Sequence, residues 1–81
     1  MPRTLSLEAR VRHLVAEASG RWSHEIDAFT PFASLGLDSL DHAELVMDVE
    51  EQFDIMIADD DWAGLQSIHS VLTYLRARGL E

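Results

Sequence analysis

Ser39 stands between Asp38 and Leu40, three residues after Gly36, with His42 three residues further on and the carboxylates of Asp41, Glu44, Asp48 and Glu51 behind it. Two chemistries are open to a hydroxyl in such company. One makes Ser39 a nucleophile with His42 as its base, because residues i and i+3 are neighbours on a helix surface. The pattern around it argues against that: the second glycine of a nucleophile elbow is missing, no strand precedes the serine, and neither an oxyanion hole nor an acid to orient His42 can be identified. The other makes Ser39 an attachment point. A helix start supplies free backbone N–H groups and the positive end of the dipole, which suit a phosphate ester, and Gly36 would permit a tight approach of the preceding chain. Asp38 and Asp41 would repel a phosphate, so this is no general anion site and an enzyme would be needed to load it.

The remaining titratable residues do not assemble a competing site. His13, His24 and His69 lack metal-ligand spacing and read as surface or boundary residues. Asp59-Asp60-Asp61 lacks the alternating ligands and glycine of a calcium loop, and an acid-rich helix start explains it without metal. No metal site and no catalytic residue is therefore expected.

The elements that must position Ser39 follow from hydrophobic spacing. Leu7, Val11, Leu14, Val15 and Ala18 trace one helical face, with Ser6 as N-cap and Gly20 as stop. A long segment, 19–37, follows; Trp22, Ile26, Phe29, Phe32, Leu35 and Leu37 are expected to anchor it in the core, with Thr30-Pro31 opening a short helical turn at Pro31. A second helix is predicted from about Ser39 to Phe53, capped by Asp38 with Asp41 three residues on, a carboxylate version of the capping box. Asp59 to Gly64 can form one or two turns, with at most a few extended residues around Ile55 to Ile57. A last helix follows Ser67, with Ile68, Val71, Leu72 and Leu75 inward, Arg76 and Arg78 in its final turn and Gly79 as terminator. The fold class is all-α: a small bundle of three main helices plus one short helix, with a long ordered loop between the first and second, in a single domain spanning 1–81.

On a wheel of about 100° per residue, Leu45, Val46, Val49 and Phe53 already make a sufficient core face for the second helix. Leu40, Ala43 and Met47 lie outside that arc and border Asp41, Glu44, Asp48 and Glu51. The helix is therefore expected to offer solvent a narrow apolar strip rimmed with negative charge, suited to brief docking against basic partners.

Charge over the whole chain points the same way. The 81 residues carry a net charge of −9, all six basic residues are Arg, and none lies between Trp22 and Leu75, where twelve of the fifteen acids fall. Such a field repels nucleic acid and anionic lipid and attracts basic protein surfaces. With no cysteine, no apolar run long enough to span a bilayer and no export signal pattern at the N-terminus, the chain is expected to be soluble, cytoplasmic and monomeric.

The stretch LGLDSLDHAELVMDVEEQFDI, 35–55, resembles the prosthetic-group site and recognition helix of the acyl carrier proteins. Gly36, Asp38, Ser39 and Leu40 form the short signature, and Asp41, Glu44, Leu45, Val46, Glu50, Glu51 and Phe53 extend it. His42 stands where a small hydroxyl residue is common. The resemblance implies that Ser39 accepts 4′-phosphopantetheine from coenzyme A through a separate phosphopantetheinyl transferase, and that the thiol of the arm then carries acyl groups as thioesters. The reactive sulfur would thus be imported into a chain that has none of its own thiols. Asp38 would help position the site. Leu40 and Met47 would touch partner enzymes, while Asp41, Glu44, Asp48 and Glu51 would meet the basic docking patches of acyl-loading, condensing and modifying enzymes of fatty-acid or polyketide-type biosynthesis. An acyl chain folding back between the helices would gain about 0.8 kcal/mol per buried methylene before the cost of opening the core. Two alternatives remain at this point: an acidic helical adaptor docking through Leu40 and Met47 with Ser39 unmodified, and a peptidyl or aminoacyl carrier, whose motifs are typically less acidic.

Overall fold

The computed structural model describes residues 6–80 and is all-helical there. Helix α1 (Leu7–Ser19) starts where the Ser6 hydroxyl accepts the Ala9 N–H at 3.1 Å. It ends at Gly20, whose φ of 72° turns the chain into the left-handed region and lets its N–H reach the Ala16 carbonyl. Helix α2 (Ser39–Phe53), the single turn α3 (Asp59–Trp62) and helix α4 (Ile68–Ala77) follow, and α1 packs against both α2 and α4. The buried residues are Leu7, Val11, Leu14 and Val15 of α1, Leu45, Val46, Val49 and Phe53 of α2, and Ile68, Val71, Leu72 and Leu75 of α4. Those are the spacings expected from the sequence save one: Ala18 is exposed, and Ala16 packs on the core instead.

Ser67 caps α4 as expected, and Ser70 answers it in a reciprocal pair, each hydroxyl accepting the other residue's backbone N–H. The helix closes one residue before Arg78, so Arg76 lies in its last turn and Arg78 is the cap residue ahead of Gly79 at φ 86°.

The segment between α1 and α2 is ordered, but its anchoring differs from the expectation. Ile26, Phe32 and Leu37 are buried and Leu35 packs on them, whereas Trp22 and Phe29 are 72% and 70% exposed. The loop does not need them because polar bonds fix its backbone. Arg12 reaches out of α1 to donate from Nη1 to the carbonyls of Ser23 (3.0 Å) and Ile26 (2.6 Å), while its Nε holds Glu8. At the far end, the Phe32 N–H donates to the Gln66 carbonyl at 2.7 Å and the His69 N–H to the Ala28 carbonyl at 2.8 Å. Two 3-10 turns, Ser23–Glu25 and Phe32–Leu35, complete the loop. Pro31 sits one place earlier than predicted, as the extended residue before the second turn, with ψ 141°.

Residues 55–57 form neither helix nor strand, and among the described residues there is no strand. Side chains bond the backbone there. The Glu50 carboxylate accepts the Ile57 N–H at 2.7 Å, the Trp62 indole donates to the Ile57 carbonyl, and Arg78 donates to the Met56 carbonyl. No helix among the described residues is long and apolar enough to cross a membrane.

Candidate functional site

The site is built on the start of α2. The chain arrives through Gly36, whose φ of 84° returns its N–H to the Ala33 carbonyl, and then buries Leu37. A Cβ placed on Gly36 would meet nothing within 4 Å. Contrary to the expectation from the sequence, the glycine therefore serves no close approach of chains; it serves the left-handed turn itself. Asp38 follows in extended conformation, its Oδ1 accepting the Asp41 N–H at 2.9 Å, while Asp41 Oδ2 accepts the Asp38 N–H at 3.2 Å. This reciprocal cap fixes the first turn to within one residue, so Ser39 occupies the first helical position, and it is exposed.

Capping also sorts the charges around the hydroxyl. Asp41 is half-buried, with one oxygen committed to the backbone, and the His42 N–H is taken by the Asp38 carbonyl. Among the described residues the N–H groups of Ser39 and Leu40 are then the open donors of the first turn, the positive end of the α2 dipole.

Leu40 and Met47 are 68% and 51% exposed, with half-buried Ala43 between them. Glu44, Asp48 and Glu51 are exposed beside them. From Ser39 to Glu51 this face runs about 18 Å at the helical rise. Gly36 and Asp38 lead into its head at Ser39, and Leu40, Asp41, Glu44, Met47, Asp48 and Glu51 follow along α2. Glu50, next in sequence to Glu51, is half-buried and turned to Ile57.

A cavity of about 240 Å³ opens against Ser39, lined by Phe32, Ala33, Leu37, Asp38, His42 and Gln66 as well as the serine. Sequence reasoning missed it, along with the part played by His42. The His42 Nε2 lies 2.8 Å from the Leu65 carbonyl, and since a carbonyl only accepts, Nε2 carries the proton and donates. The ring faces Phe32 with centroids 6.4 Å apart. A ring held by that nitrogen is a strut between α2 and the segment before α4, and among the described residues it shares no hydrogen bond with Ser39. Only the i+3 spacing of His42 was visible in sequence; its partner lies 23 residues away.

The other histidines lie at the surface: His13 beside Glu17 at 3.6 Å, His24 near the Trp22 ring, and His69 against Phe29 with centroids 4.5 Å apart. No group of three or more potential metal ligands gathers among the described residues. A larger depression of about 470 Å³, lined by residues of α3 and α4 and the segment between them, does not include Ser39.

Residues 9–75 match the family described as "Phosphopantetheine attachment site". The chain is 41% identical over 71 residues to an "Acyl carrier protein" of Akkermansia muciniphila, covering 86% of this chain and 89% of that protein. It is 36% identical over 76 residues to an "Acyl carrier protein" of Bdellovibrio bacteriovorus, covering 93% of this chain and 97% of that one.

Proposed function

Because the chain belongs to the acyl carrier protein family and spans its phosphopantetheine attachment region, we propose that Ser39 is the residue that bears the arm. Members of this family are carriers rather than enzymes, and the arm supplies the thiol on which an acyl group rides. The observation that carries the assignment is the exposed Ser39 at the first position of a helix with a reciprocal N-terminal cap, at the head of the Leu40 and Met47 strip.

In the loading step the Ser39 Oγ forms a bond to the phosphorus of coenzyme A that bears the pantetheine. The pyrophosphate bond breaks, the nucleotide leaves, and the hydroxyl proton passes to a base of the phosphopantetheinyl transferase. Asp38 and Gly36 shape the site by holding the first turn of α2 in place. Leu40 and Met47 then give partner enzymes an apolar contact, and Asp41, Glu44, Asp48 and Glu51 face their basic patches. Those partners load, condense and modify acyl intermediates of fatty-acid or polyketide-type synthesis. The chain works as a single, monomeric, cytoplasmic domain.

Incubation with coenzyme A and a broad-specificity phosphopantetheinyl transferase, followed by intact-mass measurement, tests the assignment. The expected result is one phosphopantetheine per chain, absent from Ser39→Ala. Persistence of the gain in Ser39→Ala would place the arm elsewhere, and no gain in the parent chain would favour the unmodified adaptor.

A further inference from the structure

Two consecutive carbonyls, those of Leu65 and Gln66, are held from two different elements. The His42 Nε2–H of α2 takes the first at 2.8 Å, and the Phe32 N–H of the loop takes the second at 2.7 Å. Both holding residues line the 240 Å³ cavity against Ser39, and Gln66 lines it as well. Phe32 is itself a core residue, so the pinned segment is tied to a side chain that belongs both to the cavity wall and to the interior of the bundle. As it stands the cavity falls below the roughly 300–1,000 Å³ of sites that enclose a small molecule. It has room for part of an arm, and a chain of several carbons must part α2 from residues 65–66 to go deeper.

We propose that His42 is the positioning residue that clamps α2 to Leu65 and holds the cleft beside Ser39 shut, so that an acyl group on the arm stays outside the bundle. This rests on the assignment of the arm to Ser39. The clamp is a side-chain bond between groups 23 residues apart, partly sheltered from water, whose loss leaves the Leu65 carbonyl without that donor. Removing the imidazole frees one of the two held carbonyls and loosens the other, because both belong to one short connection between α3 and α4.

The clamp is tested first without any arm, by hydrogen exchange of the Phe32 amide in the unloaded chain. Exchange about fivefold or more faster in His42→Ala is expected, as one lost hydrogen bond would give, with His42→Gln, which keeps a donor at that reach, staying close to the parent. Equal exchange in His42→Ala and the parent overturns the clamp. Loaded protein carrying acetyl or octanoyl thioesters is then treated with hydroxylamine. In the parent and in His42→Gln the two thioesters should react at similar rates, whereas in His42→Ala the octanoyl thioester should react several-fold more slowly as it slips into the opened cleft. Strong protection of octanoyl in the parent overturns the proposal even if His42→Ala fails to fold. Failure of the parent to load would strike the Ser39 assignment alone, since the exchange experiment still decides the clamp.

Discussion

At Ser39 the decisive property is where the side chain begins. A serine one position earlier would be the cap and spend its oxygen on the backbone; at the first helical position the oxygen is spare, because Asp38 already accepts the Asp41 N–H. Gly36 contributes by its backbone angle, and that makes a sharp prediction. Gly36→Ala should destabilise the fold by about 1–2 kcal/mol through the left-handed φ alone, since no neighbour obstructs the new methyl. Gly36→Asn should cost less, as asparagine tolerates that region. Urea denaturation reads both, and an alanine as stable as the parent would show that the turn had changed its conformation. The capping pair was legible in the sequence because a cap is a local matter of side chain and backbone three residues apart. The reason for Gly36 was not, since a glycine that permits contact and one that permits a positive φ look alike in sequence.

Helix α2 divides its surface into a core face, an exposed apolar strip with acids beside it, and a third part that looks like the second until the fold is seen. Glu50 and Glu51 are adjacent acids of the same chemistry. Glu51 is exposed, while Glu50 bends back to accept the N–H of buried Ile57. Glu50→Ala should therefore cost about 1–3 kcal/mol by leaving that amide unpaired. Glu51→Ala should stay within about 0.5 kcal/mol of the parent, as exposed substitutions do. Thermal or urea melts of the two variants check this, and equal losses would refute the division of labour. The loop before α2 teaches a related lesson. Trp22 and Phe29 were expected inside on hydrophobicity, yet Arg12 and the Gln66 and Ala28 carbonyls hold the loop through backbone bonds, and the two rings stay in solvent. Hydrophobicity ranks which residues favour burial, but it does not say which are needed.

Over the whole molecule, the acids of the middle segment act together as a field more than as pairs. The basic residues sit near the ends of the chain and are partly spent on structure: Arg10 stacks on Phe53 at 4.2 Å, Arg12 holds the loop, and Arg78 bonds the Met56 carbonyl and the Tyr74 hydroxyl. Docking to a basic transferase should accordingly be steered over distance. Its kcat/KM for loading should fall by roughly tenfold or more as ionic strength rises from low to high, because screening shortens the reach of the field to a few ångströms. A loading rate indifferent to salt would mean that the apolar strip of Leu40 and Met47 alone makes the encounter.

The spacing of apolar residues and the caps determined α1, α2 and α4, and the Asp38 to Asp41 pattern put Ser39 at the head of α2, because helix period and capping act within one or two turns. The acidic rim was equally fixed, since residues three and four apart must share a helical side. The fate of Glu50, the exposure of Trp22 and Phe29, and the joining of His42 to Leu65 were decided only by the tertiary structure. Each depends on which distant backbone group is left wanting a partner once the helices have packed, and that demand is created by the fold.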